Sequence, residues 1–208
     1  MKHQTVVYYT FCSEEGMQKK EYKKYQRKIA CQVLTYGFEA QFGIVFDQSY
    51  IKKGVHGKPF WAGQEKIYFN VSNTTGMVVC AVSDLDVGAD TEQIRPVRTA
   101  VIKRCCTEDE IGYIMANSGE SQEEQKRERF FQLWTLKESY IKMTGKGMYF
   151  PIKDAAFTIR TSGSAQEISS AQTGYFVQKR LGEYWLSLCT QKESEVVWKE
   201  LTLEDLRG

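Results

Sequence analysis

The sequence predicts an α+β protein built from two similar halves. Three observations carry this. Strand-type and helix-type segments alternate in the same order on either side of Pro96. "GKPFWAGQEKIYFNV" (57–71) lies on "GKGMYFPIKDAAFTI" (145–159) without gaps, matching Trp61 to Tyr149, Phe69 to Phe157 and Val71 to Ile159. The length, 208 residues, suits two units of about a hundred residues each. The expected division is 1–98 and 99–208.

The elements follow in order. Residues 5–12 ("TVVYYTFC") are β-branched and aromatic and read as a first strand. The N-terminus lacks the longer apolar run and small-residue cleavage site of a signal peptide. Tyr22, Tyr25, Ile29, Val33 and Tyr36 then step by three or four, one face of a helix. Lys19, Lys20, Lys23, Lys24, Arg27 and Lys28 crowd the rest of its first half, as a solvated face or as a site for polyphosphate or nucleic acid. "YFNV" reads as a strand, "SNTTG" as a polar turn, "MVVCAV" as a buried strand, "SDLD" as a turn and "VGADTE" as a further strand. "TEDE" (107–110) and "SQEE" (121–124) match the capping box and place helix starts near 108 and 122. The second helix runs to about 143 and stops at Gly145. "AAFTI", "GYFVQKRLG" and "EYWLSLCTQ" then read as strands, with a polar loop at 161–173.

Composition narrows the function. A net charge of +2 with 42% hydrophobic residues describes a globular protein without the strongly basic balance of a nucleic-acid binder. No apolar run is long enough to span a membrane. Six cysteines with no C-x-x-C pair, and only His3 and His56, disfavour zinc. Scattered cysteines point to a reducing compartment, so a cytoplasmic location is expected.

Two stretches carry the chemistry. In a strand, side chains at i and i+2 share a side, so Asp90 and Glu92 of "VGADTE" project together, away from Val87, Ala89 and Thr91. Taken alone, the pair is equally two solvated carboxylates. In "RFFQLWTLKESYIKMTGKG" (129–147), Phe131, Trp134, Glu138 and Ile141 share a helix face. A carboxylate unpaired among apolar neighbours costs several kcal/mol, so Glu138 needs a partner. Three carboxylates without Cys or His suit a hard ion such as Mg2+, which keeps room for substrate phosphates. Lys142, one turn beyond Glu138, is either a helix salt-bridge partner or a cation beside those phosphates. "NVSNTTG" offers hydroxyl and N–H donors for an anion, or is simply a hairpin turn. Lys58 in "GKP" is a loop lysine unless an anion is near.

The order "GKPFW", "YFNVSNTTGMVVCAV", "VGADTE", "LWTLKESYIKMTGKG" resembles the 4'-phosphopantetheinyl transferases of the longer, surfactin-synthetase-activating type. The hallmarks are (V/I)-G-(V/I)-D-x-E and W-x-x-K-E-(S/A)-x-x-K. The resemblance implies a pseudodimer with its active site between two halves related by a pseudo-twofold axis. It implies transfer of the phosphopantetheine of coenzyme A to a serine of an apo acyl or peptidyl carrier protein, with Mg2+ held by Asp90, Glu92 and Glu138. By the same resemblance Arg27, Lys58, Pro59, Asn70, Ser72, Asn73, Thr74, Lys137 and Lys142 contact coenzyme A. Glu138 is the implied general base, and Lys142 lies beside the pyrophosphate. The run Met148-Tyr149-Phe150 is expected to meet the carrier, or else to begin a core strand. A monomer is expected, with no nucleic acid or membrane partner.

Two departures stand out. Asn73 replaces the family His, giving a hydrogen bond without charge, and Ala89 replaces a β-branched residue. Rival readings are a Mg2+-dependent phosphohydrolase or nuclease on the same carboxylates, and an RNA-binding module using helix 19–28.

Overall fold

The computed structural model describes residues 3–116, 122–162 and 165–207. Strand β1 (Gln4–Phe11) leads into helix α1 (Lys19–Phe42), then a small hairpin of β2 (Ile51–Lys53) and β3 (Pro59–Trp61). The hairpin of β4 (Tyr68–Thr74) and β5 (Met77–Ser83) follows, then β6 (Val87–Gln93). Helices α2 (Thr99–Cys105), α3 (Glu108–Met115) and α4 (Gln122–Thr144) precede a second run of strands: β7 (Phe157–Ser162), β8 (Ala165–Ser170), β9 (Tyr175–Leu181), β10 (Tyr184–Thr190) and β11 (Glu195–Glu200).

Strand alternation sorts side chains into four layers. Val6 and Tyr8 of β1, with Val78, Cys80 and Val82 of β5, pack against Ile29, Val33 and Phe38 of α1. The intervening residues Val7, Tyr9, Met77, Val79 and Ala81 face the other way and meet Val87, Ala89, Leu186 and Leu188 of β6 and β10. Trp185 and Cys189, on the far face of β10, pack with Leu136, Tyr140 and Ile141 of α4. The order is therefore helix, sheet, sheet, helix. Strand β5 is buried on both faces, which is why "MVVCAVS" reads as an unbroken apolar run.

The sheets are ordered β11-β1-β5-β4 and β6-β10-β9. Each contains a first strand, a last strand beside it and the last strand's hairpin partner outermost: β1-β5-β4 backed by α1, and β6-β10-β9 backed by α4. The topology thus repeats, although the gapless alignment of 57–71 on 145–159 does not follow it. That alignment sets β4 on β7, whereas β9 takes β4's place, and β7 pairs with β8 in a separate two-stranded sheet.

The strands also cross the expected 98/99 division. Strand β6 pairs with β10. Strand β11 returns to run parallel with β1, and Leu201 and Leu206 enter the α1 core.

Several local expectations meet their physical counterparts. The Thr107–Glu110 capping box opens α3 with both reciprocal bonds made. Ser121, the expected cap of α4, lies outside the described residues, as do Gly163 and Ser164. Gly145, at φ +69°, ends α4 in a conformation that a side chain would strain. The polar stretch 161–173 is not a loop throughout, since β7 and β8 form a hairpin across its first part. "SNTTG" is not wholly a turn either: Ser72, Asn73 and Thr74 belong to β4, and only Thr75 and Gly76 lie between the strands.

Candidate functional site

The seam between the two sheets opens beside α4, and Gly88 is the reason α4 comes so close. A Cβ built on Gly88 would fall deep inside contact distance of the Ser139 carbonyl oxygen and the Met143 nitrogen. Helix backbone therefore lies directly on β6. Two residues further, alternation turns Asp90 to the same face, beneath Lys142.

Asp90 is 5% exposed. Its Oδ1 accepts from Lys142 Nζ at 2.6 Å and from the Ser72 hydroxyl at 2.9 Å. Lys142 Nζ also donates to Ser72 Oγ at 2.8 Å and to the Ala89 carbonyl at 3.2 Å. Asp90 Oδ2 is buried with no hydrogen-bond partner among the described residues. Burial pushes the Asp90 carboxyl up, against the pull of the Lys142 ammonium, and the nearby Glu92 charge adds to the rise. Glu138 behaves likewise: burial first, then the charges of Asp90 and Glu92, raise it, and Lys142 opposes them. The charge of Glu92 thus bears on Asp90, and the charges of Asp90 and Glu92 bear on Glu138, across the seam.

They do not form a closed cage. Among the described residues no three His, Cys, Asp or Glu side chains converge closely enough to hold a metal ion as they stand. The three carboxylates stand apart as the chain lies, and the reason is electrostatic. Like charges repel, and the chain's own cations hold two of the three apart. Arg95 Nη1 lies 2.6 Å from Glu92 Oε2, while Lys142 holds Asp90. The donor set is still all oxygen, and the orphaned Asp90 Oδ2 is a buried acceptor for which the described residues provide no donor. That chemistry fits a hard dication.

The residues expected at coenzyme A lie in several different places. Arg27 is exposed on α1 with Lys19, Lys20, Lys23, Lys24 and Lys28, and its neighbour Gln26 donates to the Thr74 carbonyl at 2.6 Å. Asn73 is exposed, on the side of β4 opposite Ser72. Lys58 and Pro59 line a cleft of about 400 Å3, together with His56, Phe69, Asp86 and Gly145. Lys58 is partly committed, because its Nζ donates to the Val87 and Met143 carbonyls at 3.1 and 2.9 Å and burial lowers its pKa.

Asn70, Ser72 and Thr74 are turned inward instead. Asn70 Oδ1, Ser72 Oγ and Thr74 Oγ1 accept from the backbone N–H groups of Ala89, Thr91 and Gln93 at 2.9, 3.4 and 3.4 Å. Alternate side chains of β4 thereby stand in for a backbone ladder to β6.

Lys137 does not reach the site at all. It is 0% exposed, and its Nζ meets Glu110 Oε1 at 2.8 Å and the Ala155 and Ile152 carbonyls at 2.7 and 3.4 Å. All three ammonium protons are spent inside the second half. The other oxygen of Glu110 closes the α3 capping box. Lys137→Ala would leave the Glu110 charge buried and unpaired, at a cost of about 3–5 kcal/mol. Urea denaturation is expected to show that loss, and Lys137→Met combined with Glu110→Gln is expected to recover part of it.

Met148 and Tyr149 form a 3-10 turn rather than a core strand and are 102% and 78% exposed. Tyr149 lies tilted against His56 at 4.7 Å between centroids, and Phe150 packs against Tyr140.

Sequence reasoning missed Arg95 and Glu110. Arg95 was within reach of it, three residues after Glu92. Nothing in the sequence ties Glu110 to Lys137.

All six cysteines are free, five of them buried. No helix among the described residues is long and apolar enough to cross a membrane.

Fold and seam together define an α+β protein that gathers carboxylates and lysines between two helix-backed sheets. A family model described as the 4'-phosphopantetheinyl transferase superfamily matches residues 86–189, which hold β6, α4 and the whole acidic seam. The chain is 30% identical over 171 residues to the 4'-phosphopantetheinyl transferase psf-1 of Bacillus pumilus, covering 79% of this chain and 71% of that protein. It is 41% identical over 101 residues to the 4'-phosphopantetheinyl transferase gsp of Aneurinibacillus migulanus, covering 49% of this chain and 40% of that one. With the 4'-phosphopantetheinyl transferase Sfp of Bacillus subtilis it shares 29% identity over 108 residues, 52% of this chain and 46% of the relative. The chain belongs to the 4'-phosphopantetheinyl transferase superfamily.

Proposed function

We propose that the protein transfers the 4'-phosphopantetheine group of coenzyme A to a serine of an apo acyl or peptidyl carrier protein, at the seam between two halves related by a pseudo-twofold axis. The observation that carries the reading is the buried Asp90 carboxylate at the seam, its Oδ1 held by Lys142 and Ser72 and its Oδ2 left without a hydrogen-bond partner among the described residues. It is supported by the family of relatives named for this transfer.

Asp90, Glu92 and Glu138 would hold Mg2+, which when bound supplies charge neutralisation at the pyrophosphate. Glu138 takes the proton of the carrier serine, directly or through a water. Burial and the charges of Asp90 and Glu92 raise its pKa, which makes it a better base than an ordinary glutamate. The serine oxygen bonds to the β-phosphorus, the bridging P–O bond breaks, and adenosine 3',5'-bisphosphate leaves. Lys142, with 27% of its side chain exposed, offsets charge on the transferred phosphate. Lys58 and Pro59 in the cleft, and Arg27 with the lysines of α1, lie where an anionic nucleotide has cations to meet. Exposed Met148 and Tyr149 at the cleft's edge give the carrier an apolar contact. The reaction belongs in the cytoplasm, with a monomeric enzyme.

Releasing a nucleotide is common to transfer and hydrolysis, so the test depends on the carrier. Adenosine 3',5'-bisphosphate is expected only when apo-carrier, coenzyme A and Mg2+ are all present. Release without carrier would favour a phosphohydrolase. Asn73 supplies no charge to a coenzyme A phosphate, and Asn73→His is expected to raise the preference for coenzyme A over its 3'-dephospho form. An unchanged ratio of kcat/KM values would remove Asn73 from that contact.

A further inference from the structure

We infer that Ser72 and Thr74 are positioning residues for the metal carboxylates rather than ligands of coenzyme A; the inference rests on the metal reading of the seam. The argument is a count of protons. A hydroxyl has one proton to donate and two lone pairs to accept with. Ser72 donates its proton to Asp90 Oδ1 at 2.9 Å, and its lone pairs receive Lys142 Nζ and the Thr91 N–H at 2.8 and 3.4 Å. Thr74 donates to Glu92 Oε2 at 3.2 Å and receives the Gln93 N–H at 3.4 Å. A phosphate accepts hydrogen bonds and gives none when ionised. Neither hydroxyl has a proton left for it.

The spacing explains the pairing. Ser72 and Thr74 are two residues apart on β4, and Asp90 and Glu92 are two residues apart on β6. Strand period makes both pairs share a side, so S-x-T faces D-x-E as one matched unit. Asn70 extends the register by one step, holding the Ala89 N–H at 2.9 Å. The hydroxyl of Ser72 occupies Asp90 Oδ1 and leaves Oδ2 as the oxygen open to a cation. The hydroxyl of Thr74 holds Glu92 beside it, where Arg95 alone would draw that side chain toward solvent. Partners of this kind orient metal ligands, and their loss typically weakens metal binding about 10–100-fold.

The test is Mn2+ binding to the full chain, without coenzyme A or carrier, read from the electron paramagnetic resonance signal of free Mn2+. Wild-type protein is expected to bind, and Asp90→Asn to lose binding. Ser72→Ala and Thr74→Val are each expected to weaken it about 10–100-fold, with the KM for coenzyme A unchanged at saturating Mg2+. Ser72→Thr keeps the hydroxyl and is expected to keep the affinity; if it falls as Ser72→Ala does, size rather than the hydrogen bond matters and the inference fails. Unchanged Mn2+ affinity with a raised KM for coenzyme A would also overturn it, returning both residues to the nucleotide. Wild-type protein that takes up no Mn2+ would instead remove the metal reading itself.

Discussion

Glu138→Gln is expected to abolish transfer and, in the presence of a chelator, to stabilise the fold. The two effects have one origin. Burial and the charges of Asp90 and Glu92 raise the folded-state pKa of Glu138 above its ordinary value. The fold therefore favours the protonated carboxyl. That favourable contribution is complete below the ordinary glutamate pKa and is lost as pH rises through the raised folded value. A glutamine does not titrate. The stability difference between variant and wild type should thus be small in acid, grow in the variant's favour across that window, and level off above it. Thermal unfolding in chelator at stepped pH reads the difference directly. A general base contributes about 10^2–10^4 in rate, so transfer by the variant should fall by about 10^3 or more. A variant that keeps activity, or whose stability difference has the opposite sign with pH, would show that Glu138 is not the strained base of the seam.

Gly88→Ala is expected to damage both halves of the site at once. The added methyl meets the backbone of Ser139 and Met143, not the end of a movable side chain. Helix α4 must lift from β6, carrying Glu138 and Lys142 away from Asp90. Overpacking of this kind costs about 1–3 kcal/mol, occasionally more. In a chain of this size each kcal/mol is worth about 2–4 °C of Tm, so Tm should fall by about 2–12 °C. Transfer should fall further than stability, because a small misplacement of reacting groups can cost about 10^2-fold. Gly112→Ala in α3 is the control: a Cβ there meets nothing within 4 Å, and the change should be neutral or slightly stabilising. Equal effects at Gly88 and Gly112 would mean that the close approach is unimportant.

The acidic seam was legible because its parts are local. Strand period alone puts Asp90 and Glu92 on one side, and helical period puts Glu138 and Lys142 on one face. Lys137 shows the limit of carrying a motif over whole. It adjoins Glu138 in sequence but points elsewhere, since helix neighbours three or four apart share a face and adjacent ones do not. Its partner Glu110 is set by how α3 packs on α4, which no local pattern encodes. The polar run "SNTTG" reads as a turn, where the structure has mostly strand, for a related reason. Alternating polar residues in a strand normally face water, but Asn70, Ser72 and Thr74 face the backbone of β6. Strand β11 was missed altogether. "EVVWKE" is short and flanked by charge, and only its pairing with β1, far off in the chain, makes it a strand.

The central claim is that this seam moves phosphopantetheine onto a carrier serine. The most direct measurement is the intact mass of an apo-carrier protein after incubation with the enzyme, coenzyme A and Mg2+. A gain of one phosphopantetheine is expected, absent when the carrier serine is replaced by alanine and absent with Asp90→Asn enzyme. An unmodified carrier, across acyl and peptidyl types and with wild-type enzyme that is folded and holds Mn2+, would contradict the account.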